Sequence, residues 1–206
     1  MANEIDTQGS FRHQPIQARA ANRIESLLDA AASKIDESGY ETLTTQSVAD
    51  GAGASIGTVY RYFPDRLSVI RSLAERNVAK LLGELDKVFA EQRESWRDYL
   101  ASAQDVLAAL YADEPGFRQV RTGDHVEYGE QVEKFGLPDQ LADRIWNRYV
   151  EQFGVRDTVG NREAVRLGVR ILVSLTDMAF AMSKQGEPDL LRAALRHAEQ
   201  EIEPIF

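Results

Sequence analysis

Residues 44–66 read TTQSVADGAGASIGTVYRYFPDR, a stretch dense in hydroxyls and small side chains and poor in charge. Threonine and tyrosine hydroxyls hydrogen-bond a phosphate without adding charge. Small residues let a nucleic-acid backbone or base edge approach closely. Gly57 and Thr58 are weak helix formers near the start of a short segment, SIGTVYRY, which ends on Tyr60 and Tyr62. The same periodicity also fits a plain helical hairpin with tyrosines in its core.

Two short helices must hold these groups. Ala49 and Gly53 stand four apart, with Val48 and Val59 as apolar anchors. A small residue at Ala49 lets two helices cross closely, and glycine at the turn accepts a positive φ. The anchors then fix the second helix so that its first residues can enter a major groove. Thr44 or Thr45 caps a helix running to Ala52, Gly53 breaks it, and a second helix runs from about Ser55 to Tyr62. Pro64-Asp65 stops that helix, and Asp65 caps a long one whose buried side is Leu67, Ile70, Ala74, Leu81, Leu85 and Val88. Upstream, Ile24, Leu27, Leu28, Ala31 and Ile35 form one helical face, closed by Gly39.

The remainder is also helical. The periodicity predicts helices over Ser95–Asp113, Pro138–Phe153, Asn161–Gln185 and from Pro188 to about Glu203. Between Phe117 and Phe135 the pattern is less regular, with glycines at 123 and 129. No useful strand alternation appears, so the expected fold is all-α. Residues 1–17 are polar and aperiodic and read as a flexible arm.

Composition narrows the chemistry. The 206 residues include no cysteine, which excludes disulfides, thiolate metal sites and cysteine nucleophiles. The three histidines, His13, His125 and His197, are far apart, so no metal site or cofactor is expected. His125 beside Asp124 and Glu127 makes neither a convincing metal site nor a catalytic dyad. No nucleophile–base pair supports an enzyme. The start lacks a signal peptide's apolar stretch, and no window approaches the ~20 apolar residues of a spanning helix; the expected location is cytoplasmic.

A formal charge of −9 argues against nucleic acid, whose partners usually carry a basic footprint. The charge is unevenly spread. Residues 1–71 hold seven Lys/Arg and nine Asp/Glu; residues 72–206 hold seventeen and twenty-four. Arg12, Arg19 and Arg23 sit in a stretch without acids, and with Arg61 and Arg66 they make a thin basic face.

GASIGTVYRYFPDR resembles the signature of tetracycline-repressor-like (TetR family) regulators: Tyr60, Tyr62 and Phe63 after a small-residue turn, then a basic residue, Arg66. Gly39-Tyr40, Thr44 and Val48-Ala49 agree with that pattern. The resemblance implies a DNA-binding domain at 18–72, joined by a long helix to an effector-binding and dimerisation domain at 73–206. It implies phosphate contacts from Thr44 or Thr45, Tyr60, Tyr62 and Arg66. It implies base reading by Gln46, whose amide can pair with adenine. Ser55, Ile56, Gly57 and Thr58 would present the start of the recognition helix. Arg61 is left between base, backbone and solvent.

Three positions depart from the family pattern. Ile56 stands where polar residues are common, Arg66 replaces a lysine, and Gly51 lies inside a short helix at a cost of about 1 kcal/mol relative to alanine.

In the C-terminal part, the resemblance implies a four-helix bundle with a second subunit. Val165, Val169, Leu172, Val173, Leu190, Leu191, Leu195 and Ile202 are expected at that interface. An effector pocket would draw on Phe89, Trp96, Tyr99, Phe117, His125, Tyr128, Trp146 and Tyr149. Asp177 would meet either a cationic ligand or a neighbouring helix or subunit. The function implied is a repressor that a small-molecule effector releases from double-stranded operator DNA. The alternative is an all-helical dimeric interaction module with lost or weak DNA binding, favoured only by Gly51 and the thin basic face.

Overall fold

The computed structural model describes residues 13–120 and 136–206. Among them are eight α-helices and no strand: α1 (His13–Ser38), α2 (Thr45–Gly51), α3 (Ile56–Tyr62), α4 (Arg66–Phe89), α5 (Trp96–Asp113), α6 (Leu137–Phe153), α7 (Val159–Met182) and α8 (Pro188–Ile202). The all-α fold is therefore as the periodicity implied. The chain divides into two compact units, Met1–Leu73 and Ala74–Phe206.

In the first unit, α1 begins at His13, inside the stretch expected to be a flexible arm. Pro15 falls in the first helical turn, where its missing N–H has no intrahelical partner to lose. The apolar stripe of α1 is fully used: Leu27, Ala31 and Ile35 are completely buried. Gly39 follows α1 with φ +81°, and its N–H bonds Ile35 O at 2.8 Å. Gly51 is explained by packing. A Cβ there would lie 3.2 Å from the Ala30 Cβ, so glycine lets α2 close on α1.

The second unit has one apolar core, with Leu107 of α5, Ile145 of α6, Val169 and Leu172 of α7 and Ala198 of α8 among its buried residues. At Gly168 a Cβ would lie 2.7 Å from Ile202 Cδ1, which marks the close crossing of α7 and α8. One polar bridge threads this core. Gln104 Nε2 donates to Thr176 Oγ1 at 3.2 Å and to Leu191 O at 3.0 Å, while the Thr176 hydroxyl donates to Leu172 O at 2.7 Å. These bonds satisfy two buried side chains that would otherwise destabilise the fold. On the surface, Arg170 and Arg166 of α7 pair with Asp139 and Asp143 of α6 at 3.0 and 3.8 Å. Exposed pairs of this kind add little individually.

Candidate nucleic-acid interface

Thr44, not Thr45, caps α2. Ser47 N–H donates to Thr44 Oγ1, and Thr44 N–H donates back to Ser47 Oγ, both at 3.0 Å. This reciprocal box satisfies two backbone donors at the helix start. Thr45 is then the first helical residue, and its hydroxyl donates to Tyr60 Oη at 3.3 Å, tying α2 to α3. Ala54 N–H bonds Ala49 O at 2.9 Å across the turn, where Gly53 has φ +57°. Val48, Ala49 and Val59 are wholly buried and fix the two helices against each other. Burying each valine contributes about 1.5–3 kcal/mol.

Ser55 caps α3, accepting from Thr58 N–H at 3.2 Å, and the two hydroxyls lie 2.9 Å apart. The outward surface of α3 is Gly57, Tyr60 and Arg61, all exposed; Ile56, Thr58 and Tyr62 are half-buried. A Cβ at Gly57 would meet only Ser55 Oγ, 3.9 Å away. Gln46 is exposed on α2 and donates through Nε2 to Asp50 Oδ1 at 2.8 Å.

Arg66 is not a free surface cation. Its guanidinium donates to Tyr40 O at 2.6 Å and lies 6.0 Å from the centre of the Tyr40 ring. Part of its fork therefore holds the chain between α1 and α2, which spacing alone could not show. Arg19 and Arg23 are exposed on α1, whereas Arg12 lies outside the described residues. Acidic groups gather elsewhere. Glu25, Asp29 and Glu37 line an open groove of about 670 Å³ with Lys34, Ser47 and Gly51, and no residue of α3 lines it.

Residues 27–73 match the family model for bacterial regulatory proteins of the tetR family, and residues 94–204 match that of the tetracyclin repressor-like C-terminal domain. The chain belongs to the TetR family. It is a helix-turn-helix, DNA-binding transcription regulator, and the match over 27–73 sits on α2 and α3. A TetR-family transcriptional regulator from Streptomyces coelicolor is 25% identical, with a TM-score of 0.72 over 91% of this chain and 99% of that one. FadR from Bacillus subtilis, solved in complex with stearoyl-CoA, has a TM-score of 0.68 at 18% identity over 88% of this chain and 99% of that one, and shares the fold. Among sequences, the nucleoid occlusion factor SlmA of Idiomarina loihiensis is 29% identical over 124 residues, 60% of this chain. The chain spans 62% of that relative's length.

In the second unit of this TetR-family chain, the residues expected around an effector are packed on one another. Phe89, Trp96, Tyr99, Phe117, Trp146 and Tyr149 are all buried. Phe89 and Tyr99 meet edge to face at 5.2 Å, and Trp96 stacks on Phe206 at 4.7 Å. The Tyr149 hydroxyl donates to Trp96 O at 3.1 Å. Phe89 and Tyr99 border a cleft of about 70 Å³ that Arg148, Glu151 and Gln152 complete. His125 and Tyr128 lie outside the described residues. Asp177 accepts a hydrogen bond from Tyr111 Oη on α5, a neighbouring-helix contact.

The residues expected at a subunit interface differ in burial within the single chain. Val165, Val169, Leu172, Val173 and Ile202 are buried in the subunit's own core, and Leu190, Leu191 and Leu195 pack half-buried against it. The large apolar residues that α7 leaves exposed are Val159, Leu167, Met178 and Met182. Leu167, Ile171, Ser174, Met178 and Met182 recur at i, i+4, i+7, i+11 and i+15, a second stripe opposite the first. Counting both stripes would have revealed a helix apolar on two sides. Among the described residues no helix is long and apolar enough to cross a membrane, and no group of His, Asp and Glu is placed to hold a metal ion.

Proposed function

We propose that the chain is a homodimeric repressor that grips a two-half-site operator through α3 and leaves it when a small molecule occupies its second unit. The observation that carries the dimer is the second stripe of α7. Leu167, Met178 and Met182 are 44%, 52% and 71% exposed, an apolar face with no use in a single subunit. A second copy placed on it by a twofold axis covers both faces at once and presents two recognition helices.

In this reading Thr44, Thr45, Tyr60 and Tyr62 hold phosphates, Gln46 reads a base, and Ser55, Ile56, Gly57 and Thr58 bring α3 close to the groove. Arg61 reaches base or backbone, and Arg66 divides its fork between Tyr40 and a phosphate. The match to the repressor-like C-terminal domain supports an effector, as does the fold shared with a FadR solved with stearoyl-CoA. Pockets for such ligands span roughly 300–1,000 Å³, so the aromatic set around Tyr99 must part to admit one. An effector that binds the parted form more tightly shifts the protein toward it by that difference in affinity.

The test is a mobility shift on the DNA flanking the protein's own gene, with wild type and Met178→Glu. Wild type is expected to shift as a dimer; Met178→Glu is expected to be monomeric and to bind at least tenfold more weakly. A monomeric wild type that shifts no DNA would sink the proposal. Fractions of a cell extract then screen for release. The mutual packing of Trp96, Tyr149 and Phe206 favours one second reading, a DNA-binding factor without an effector. A dimer whose shift survives every fraction selects it.

A further inference from the structure

Between Thr44 and Tyr62 there is one carboxylate, Asp50, and its place is unfavourable on three counts. It lies in the last turn of α2, where the helix dipole disfavours negative charge. It is exposed on the helix that precedes the recognition helix, where it repels phosphate. Aspartate is also a poor helix former. Its carboxylate accepts a hydrogen bond from Gln46 Nε2, at 2.8 Å.

That bond has a chemical consequence. A carboxylate only accepts, so the Gln46 amide must turn its NH2 toward Asp50. The terminal torsion of glutamine is otherwise broad and roughly two-fold, and the oxygen and nitrogen can exchange places. With one N–H held by Asp50, the second N–H and Oε1 lie side by side in a set order. That order of donor and acceptor is what the N7/N6 edge of adenine requires in the major groove.

We infer that Asp50 is a positioning residue for operator recognition: it sets the polarity of the Gln46 amide and so sharpens base selectivity, at the expense of total affinity. Preorganising a contacting group in its bound orientation favours the matching base over its competitors. The inference rests on the proposal that Gln46 reads a base, and its experiment separates the two.

Full-length wild type selects its preferred duplex from a random oligonucleotide pool. Fluorescence anisotropy at one salt concentration then measures binding to every single-base-pair variant of that duplex, for wild type, Gln46→Ala, Asp50→Ala and Asp50→Asn. Gln46→Ala is expected to remove roughly tenfold selectivity at one position of each half-site. Asp50→Ala is expected to lower selectivity severalfold at that same position only, while affinity for a scrambled duplex rises. Asp50→Asn, whose amide can donate to Gln46 Oε1 as readily as it accepts from Nε2, no longer fixes that order and is expected to lower selectivity at that position as Asp50→Ala does. If Gln46→Ala changes no position, the base-reading assignment fails and the inference goes with it. If Gln46→Ala acts but Asp50→Ala leaves the position unchanged, or Asp50→Asn keeps the full selectivity, the positioning role alone is overturned.

Discussion

Gly57→Ala separates what the fold needs from what DNA binding needs. The glycine is the second residue of α3, its backbone is helical, and an added Cβ would meet only Ser55 Oγ at 3.9 Å, an ordinary contact. Inside the protein the substitution therefore introduces no strain. Alanine is favoured over glycine in a helix by about 0.5–1 kcal/mol, and the lower figure suits a first turn whose N–H groups lack partners. A gain of about 0.5 kcal/mol raises Tm by roughly 1–2 °C in a chain of this size. Against DNA the sign reverses. A methyl on the outward surface of α3 holds a phosphate or base edge away, and each half-site loses about one hydrogen bond, near 1 kcal/mol. Two half-sites lose about 2 kcal/mol, roughly a thirtyfold rise in Kd. Melting by circular dichroism and operator binding by anisotropy at constant salt read both numbers from one preparation. A higher Tm with unchanged Kd would show that Gly57 does not face DNA. A lower Tm would show that the space around it is not open.

Three further outcomes follow from the same geometry. Gly168→Ala places a Cβ 2.7 Å from Ile202 Cδ1 and 3.0 Å from Ala198 O; overpacking of about 1–3 kcal/mol outweighs the helix gain of about 1, so calorimetry should show Tm lowered by a few degrees, and an unchanged Tm would refute the close crossing. Burial, with the charge of Glu199 second, pushes the Tyr149 pKa far above its ordinary value, so the folded state keeps this proton. The stability tied to it is complete below the unfolded pKa of about 10 and is lost as pH rises further; Tyr149→Phe should flatten the alkaline fall in chemical-denaturation stability, and an equally steep fall would count against it. Finally, if Arg19, Arg23, Arg61 and Arg66 all reach phosphates, a dimer neutralises about eight. The log–log salt slope of operator binding should then be no steeper than about −7, and a slope near −10 would contradict the thin basic face.

Helix content and order were readable in the sequence because the helices carry apolar stripes and several open on a side-chain cap: Thr44, Ser55 and Asp65 all sit at helix starts and accept from backbone N–H groups. The turn chemistry of Gly39 and Gly53 was equally plain. What escaped was whatever depends on which side of an element meets which neighbour. Val165 and Leu167 are both apolar residues of α7, but only the first packs into the subunit's core. Trp96 and Tyr149 have the composition of a ligand pocket, but composition does not show that their rings lie 6.1 Å apart, edge to face. Arg66 reads as a surface cation until Tyr40, distant in sequence, comes within 2.6 Å.

The glycines make the same point for function. Gly51, Gly57 and Gly168 are all helical and all weaken their helices, so by sequence they are one signal. Added Cβ atoms divide them: at 51 and 168 they press on Ala30 and Ile202, and at 57 they meet nearly empty space. Two of the three are therefore explained by the fold. Gly51, which in sequence counted against DNA binding, is one of these, because it seats α2 on α1. Gly57 keeps its disadvantage without any internal return, and that of Asp50, an exposed acid in the last turn of α2, is offset only in part by the hydrogen bond it accepts from Gln46. Both lie on α2–α3, within the stretch that matches the family's DNA-binding model. Gly83 and Gly160 are helical glycines with as much room, so what sets Gly57 apart is its place on the second helix of the helix-turn-helix. That surface has almost no net charge, one acid at Asp50 and one base at Arg61 across 45–62. The overall −9 is carried mostly by the other unit and says little about how this surface meets DNA.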